Sequence, residues 1–215
     1  MKKIVIWGAS GHALIVEEIL LECGGFEVAG FLDDKSPERC GEEFGTARIL
    51  GGEEALDGLL AEGVHCLVFA FHNGPAKLKL AAAAKHRGFE LITAVHPSAS
   101  VSRSAVIGEG SVIRAQAAIG PGTVIGKHCL VGYGATISHD CQVGDGVHIS
   151  SGGNVAGGVA IGRNTWVAVG ASIIDGKTIG ENSILGAGAV AVKDIPDGVV
   201  AMGVPAKVVK KREDS

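Results

Sequence analysis

Aromatic side chains make up only 4% of the 215 residues, too few for a helical bundle packed on Phe and Trp. An excess of cations is missing too. The formal charge is −4, which provides no basic field for nucleic acid. No apolar run approaches the roughly 20 residues of a membrane span, so no membrane insertion is expected. The opening MKKIVIWGASGHA reads as a first strand rather than a signal peptide. Cys-x-x-Cys pairs are absent as well, and the five cysteines (Cys23, Cys40, Cys66, Cys129 and Cys141) are odd in number. That pattern fits reduced thiols in a soluble cytoplasmic protein.

What the chain has in quantity is glycine, 34 residues, alongside abundant aliphatic side chains. They are organised with two different periods. Residues 1–97 alternate strands and helices: KIVIWG is a short apolar strand, GHALIVEEILLEC has helical spacing, and FEVAGFLDD is a second strand ending in two aspartates. HCLVFAF and FELITAVH read as further buried strands around the helix-like GPAKLKLAAAAKHRG. Such alternation implies a parallel sheet covered on both faces, a Rossmann-like α/β domain. His96-Pro97 stops the pattern, because the residue before proline is pushed to extended geometry.

From Val101 the period becomes six. An aliphatic residue recurs at Val101, Ile107, Ile113 and onward to Leu185, fifteen repeats without a slip, and the position four residues later is mostly small. A fixed period this long marks a solenoid, in which each repeat buries its apolar face against its neighbours. Three six-residue faces make an 18-residue coil, so the repeats predict a parallel β-helix of about five coils. The expected division is a Rossmann-like domain over 1–97, a β-helix over 98–192 and a carboxyl-terminal extension over 193–215.

The hexapeptide pattern and the closing SILGAGAVAVKDIPDGVVAMGVPAKVVKK resemble the hexapeptide-repeat acyltransferases. GASGHA, GFLDD, HPSA and the SHD insertion together resemble one branch, the sialic-acid O-acetyltransferase and nucleotide-amino-sugar N-acetyltransferase family. The resemblance implies a left-handed β-helix, acetyl-CoA as acyl donor, a nucleotide-sugar acceptor for surface glycan synthesis, and a homotrimer with active sites between subunits.

Within this frame Gly8, Ala9, Ser10, Gly11 and His12 join the first strand to the first helix. Glycines there let the backbone approach a phosphate at the helix amino end, although a tight turn without ligand has the same sequence. His12 either contacts the phosphate or caps the helix. Asp33 and Asp34 end the second strand, where carboxylates can hydrogen-bond ribose or base, and His72-Asn73 end another strand at the edge where such sheets bind ligands. The resemblance places the nucleotide of the sugar substrate at the first two of these regions.

In TISHDCQVGDGVHIS, Ile137 keeps the apolar register while His139 and Asp140 follow in the turn. A carboxylate beside an imidazole fixes its tautomer and raises its basicity, as a general base requires. Ser138 is rejected as a nucleophile, because consecutive residues on an extended backbone point apart. Gly157 lies 18 residues after His139 and stacks over it at roughly 4.8 Å. Its backbone N–H is expected to be open to a thioester oxygen as an oxyanion donor. The resemblance assigns the same three roles, base, orienting acid and oxyanion donor, to His139, Asp140 and Gly157. Gly132 stands where some relatives have Asn. His148, half a coil from His139, is expected on another side, so either it lies outside the site or the site lies between prisms. The resemblance, with a matching histidine reaching in from the next subunit, implies that it completes a neighbour's site.

Carried over for the cofactor are backbone near Gly170 and Ala171, the late coil at Gly188, and Lys207, with Lys210, Lys211 and Arg212 as further cations. No metal is expected: the intervals from His128 to His139 and on to His148 lack the His pair of zinc lyases on the same prism. O-acetylation of sialic acid is the nearest alternative activity, and a non-catalytic scaffold a more distant one.

Overall fold

A computed structural model describes residues 1–213. It contains two compact units that divide between Pro97 and Ser98.

In the first unit, strand β1 (Lys2–Trp7), helix α1 (Gly11–Cys23) and strand β2 (Phe26–Leu32) come first, and the strand Cys66–Phe69, the helix Gly74–Arg87 and the short strand Glu90–Leu91 follow. The strands form one parallel sheet in the order β2, β1, Cys66–Phe69, Glu90–Leu91. The unbroken apolar run of β1 suits this central place, where both faces are covered: Ile4, Val5 and Ile6 are wholly buried. Because the chain leaves β1 toward β2 on one side and returns to Cys66–Phe69 on the other, their carboxyl ends open a crevice. The helix Gly74–Arg87 starts under Asn73, whose Oδ1 accepts the Ala76 N–H at 2.9 Å, and stops at Gly88 in the left-handed region. The expected strand FELITAVH is instead two short ones, Glu90–Leu91 and Ala94–Val95.

The second unit is a prism. Each hexapeptide contributes a two-residue strand, and successive strands fall in turn on three parallel sheets. Ile119, Ile137, Val155 and Ile173 lie directly over one another, one coil apart, and all are buried. The solenoid does not stop at residue 192. Val190–Ala191 pairs with Ser172–Ile173, Ile195 bridges to Ile179, and Val199–Met202 pairs with Ile184–Leu185, so about six turns are built rather than five. The Ala, Ile and Val of KDIPDGVVAM keep the buried column going through a coil that is two residues short, which the six-residue count could not follow. Lys207–Lys211 then turns back antiparallel.

Polar side chains inside the corners are structural staples. Thr123 Oγ1 accepts the Cys141 N–H at 3.2 Å and donates to the Ser138 carbonyl at 2.6 Å. Ser111 and Thr165 make the same pair of bonds at other corners of the prism. All three are buried, and their small hydroxyls satisfy backbone groups that would otherwise be stranded at about 1–3 kcal/mol each.

Candidate active site

The turn that carries His139 is clamped at both ends by Thr123, through the Ser138 carbonyl and the Cys141 N–H. Between them Asp140 adopts φ +56°, a left-handed conformation that Asp tolerates better than most residues. On an extended strand neighbouring side chains diverge; here the left-handed turn brings the Asp140 carboxylate back onto the ring. His139 Nδ1 lies 2.9 Å from Asp140 Oδ2. An ionised carboxylate only accepts, so Nδ1 carries the hydrogen and Nε2 keeps its lone pair.

Gly157 stacks against this imidazole. A Cβ built on Gly157 would stand 2.6 Å from both Cε1 and Nε2 of His139, so only glycine leaves the ring its place. One expectation is corrected. The Gly157 N–H is not open: it donates to Asp175 Oδ1 at 3.1 Å. Asp175 follows Gly157 by another 18 residues and its exposed carboxylate leans back over the glycine, a contact that counting one further coil would have revealed. Asp175 and Ser138 also line a groove of about 760 Å³ that runs along this sheet.

Cys141, although next to Asp140, points into the prism. It is fully buried and its thiol donates to the Ala156 carbonyl at 3.1 Å. Burial pushes its pKa up, which keeps it a thiol. A thiol reagent is therefore expected to label the exposed Cys23 and Cys40 in the native protein and Cys141 only after denaturation. Mass mapping of labelled peptides checks this, and Cys141→Ala should retain turnover.

His148 sits on a different sheet, between Leu130 and Trp166, so one chain does not bring it to His139. Its ring stacks on Trp166 with centroids 5.7 Å apart and planes 5° from parallel. Trp166 Nε1 donates to Ser150 Oγ at 2.8 Å, and Ser150 Oγ is 3.3 Å from His148 Nε2. Ser150 Oγ thus bridges the indole and the imidazole, which holds the His148 ring in place. Trp166, one coil beyond His148, went unnoticed in the sequence.

Gly170 and Gly188 occupy one open corner, with φ +65° and +64° and nothing within 4 Å of a Cβ at either. Beside them the Ala171 side chain is fully buried, its N–H donates to Ala168 and its carbonyl accepts from Asn154. Lys207, Lys210 and Lys211 are exposed on the last strand, whereas Arg212 Nη1 is tied to the Asn164 carbonyl at 2.9 Å. Among the described residues no three His, Cys, Asp or Glu side chains converge as metal ligands, and no helix is long and apolar enough to cross a membrane.

In the first unit a cavity of about 610 Å³ opens at the carboxyl ends of the strands and is lined by Gly8, Ala9, Ser10, Asp33, Asp34, His72 and Asn73, together with Trp7 and Arg39. Gly8 has φ +134°, and a Cβ there would meet the Ala70 carbonyl oxygen at 2.7 Å. Close packing alone thus requires this glycine. Gly11, by contrast, faces open space. His12 is buried and stacks on His72, ring centroids 4.7 Å apart. The two aspartates are already engaged. Asp34 accepts from Trp7 Nε1 at 2.6 Å and from the Glu53 N–H at 2.8 Å. Asp33 accepts from the Lys35 N–H and from Arg39 Nη1, which also donates to the Ala9 carbonyl at 2.9 Å. Arg39 gives the cavity a cation beside the glycine loop, lying too far from the glycines in sequence to be read as part of them.

The sequence matches the profile of the PglD N-terminal domain over residues 3–83 and that of the bacterial transferase hexapeptide (six repeats) over 104–139 and 122–157. A histidine-to-alanine variant of GDP-perosamine N-acetyltransferase from Caulobacter crescentus, in complex with CoA and GDP-perosamine, superposes with a TM-score of 0.91 at 38% identity, covering 98% of each chain. The acetyltransferase domain of PglB from Neisseria gonorrhoeae FA1090, in complex with acetyl coenzyme A, gives 0.90 at 34% identity over 97% of this chain and 99% of that one. Galactoside O-acetyltransferase of Escherichia coli K12 is 46% identical over 56 residues, 26% of this chain. Such curated relatives are matched over only about a quarter of their length, 28% in that case.

Proposed function

The chain belongs to the hexapeptide-repeat family of sialic-acid O-acetyltransferases and nucleotide-amino-sugar N-acetyltransferases, and from that premise we propose that it transfers the acetyl group of acetyl-CoA to the amino group of a nucleotide-linked amino sugar. The observation that carries this reading is the His139–Asp140 pair with Gly157 stacked on its ring. Asp140 holds Nδ1–H, and His139 Nε2 takes a proton from the acceptor amine. The amine nitrogen bonds to the thioester carbon, the C–S bond breaks, and the CoA thiolate leaves. Negative charge gathering on the carbonyl oxygen is met by the Gly157 N–H once Asp175 lets it go. No covalent enzyme intermediate is needed, in keeping with the inward, protonated Cys141.

The nucleotide is assigned to the cavity of the first unit, with Gly8 to Ser10, Asp33, Asp34, His72 and Asn73 around it, Gly11 and His12 next to them in the chain, and Arg39 added as a phosphate partner. CoA is assigned to the open corner of Gly170 and Gly188, with Lys207 near its phosphates. The protein acts as a homotrimer in which the oriented His148 completes a neighbour's site. Its free thiols suit the reducing cytoplasm, and its product suits assembly into surface polysaccharide.

A thiol-release assay with acetyl-CoA and UDP-, GDP- or dTDP-linked 4-amino sugars tests the reading. The similarity to the GDP-perosamine enzyme supports a GDP-linked sugar as the fastest acceptor. Faster release with sialic acid or a galactoside would overturn N-acetylation in favour of O-acetylation.

A further inference from the structure

His139, Gly157 and Asp175 form one corner column at 18-residue intervals, with the Gly158 N–H on the His139 carbonyl and the Gly176 N–H on the Gly157 carbonyl, both at 2.9 Å. The middle member has no side chain. From one side the imidazole fills the space a Cβ would take, and from the other the Asp175 carboxylate reaches the Gly157 N–H at 3.1 Å. Asp175 is exposed and lines the groove with Ser138 and Ala156. Among the described residues its hydrogen-bond partner is that N–H.

This arrangement poses an electrostatic conflict. A fixed carboxylate at an oxyanion donor occupies the donor and repels the charge that the donor should stabilise. Something must draw the carboxylate away. The reacting group of an amino sugar arrives as an alkylammonium, a cation with three N–H donors. Placed between His139 and Asp175, it can pass one proton to the imidazole, which frees the nitrogen lone pair for attack, while hydrogen-bonding to the carboxylate. The excess proton left on nitrogen after attack goes to the departing CoA thiolate. The Gly157 N–H is then left to the thioester oxygen. A sugar hydroxyl has no charge and one donor, and compensates the carboxylate much less.

Resting on the activity proposed above, we propose that Asp175 is the residue that selects an amine over a hydroxyl: it takes the acceptor ammonium and in doing so uncovers the Gly157 N–H. The discrimination between N- and O-acetylation thus lies two coils from the base, at a side chain that neither the repeat nor the His-Asp dipeptide marks.

The test compares the unaltered protein with Asp175→Ala, Asp175→Asn and Asp175→Glu. Turnover is measured with the GDP-linked 4-amino sugar, and calorimetric binding with its 4-hydroxy counterpart. Asp175→Ala and Asp175→Asn should each raise KM for the amino sugar about tenfold or more, the usual scale of a charge-assisted contact. Binding of the hydroxy counterpart should be unchanged, and Asp175→Glu should recover part of the loss. An unchanged KM, or equal weakening toward amine and hydroxyl, would overturn the assignment while leaving the acetyltransferase reading in place. Absence of thiol release by the unaltered protein with every amino sugar would overturn both together. The side chain is exposed, so unchanged thermal melts are expected to accompany all three variants.

Discussion

His139→Ala is expected to lower kcat by about 100-fold or more, the scale on which positioned general bases act. The same substitution should leave the melting temperature nearly unchanged. Both side chains of the pair are largely exposed, 59% for His139 and 74% for Asp140, and a polar contact so open to water contributes little to folding. The fold beneath the turn does not depend on the ring either: Thr123 holds the Ser138 carbonyl and the Cys141 N–H, and Ile137 is buried in its column. Thiol-release kinetics with saturating acetyl-CoA, read beside circular-dichroism melts, separate the two effects. Near-normal turnover by the folded variant would remove His139 from the chemistry.

Gly157→Ala should produce the second large loss, through position rather than through a missing group. The backbone can accept alanine there, since Gly157 does not occupy the left-handed region, but the new Cβ would lie 2.6 Å from the His139 ring. The ring is the free end of a side chain and can swing, so the cost falls on geometry and not on folding. A displacement of about 1 Å is enough to cost roughly 100-fold. Turnover should therefore fall by about that factor while acetyl-CoA binding and the thermal melt stay close to those of the unaltered protein. A crystal structure of the variant should show the imidazole turned away from residue 157. Full activity would mean that stacking at this glycine is incidental.

The sequence and the structure agree most closely where a single rule governs many residues. In the prism the buried columns come straight from the six-residue period, because every coil repeats the same packing problem and Ile137, Val155 and Ile173 solve it identically. That arithmetic also placed Gly157 over His139 and moved His148 to another sheet. It failed at the last turn, where a coil two residues short still keeps Ile195 and Ala201 buried. Spacing specifies that something stacks, but not how much irregularity the stack tolerates.

Side-chain commitment was not legible in the sequence. Asp33 and Asp34 line the cavity, but their partners Trp7, Arg39 and the Glu53 N–H could not be read from the sequence. Gly8 lines the cavity, but its tight packing on the Ala70 carbonyl, which a Cβ would meet at 2.7 Å, was not readable from the glycine motif. The bonds of the Ala171 N–H to Ala168 and of its carbonyl to Asn154 were not readable either. Each of these depends on a partner distant in the chain.

By itself the sequence determined the two architectures and their junction at Pro97, the register of the columns, and the placing of His139 beside Asp140 and under Gly157. These are periodic or local properties, fixed by the backbone geometry of strand, coil and turn. Only the tertiary structure decided that Asp140 turns back onto His139 through a left-handed residue, that Cys141 is sealed inward, and that Asp175 covers the Gly157 N–H. The physical reason is that a hydrogen bond or a steric contact is settled within a few tenths of an ångström by atoms from several coils at once, a precision that no interval along the chain specifies.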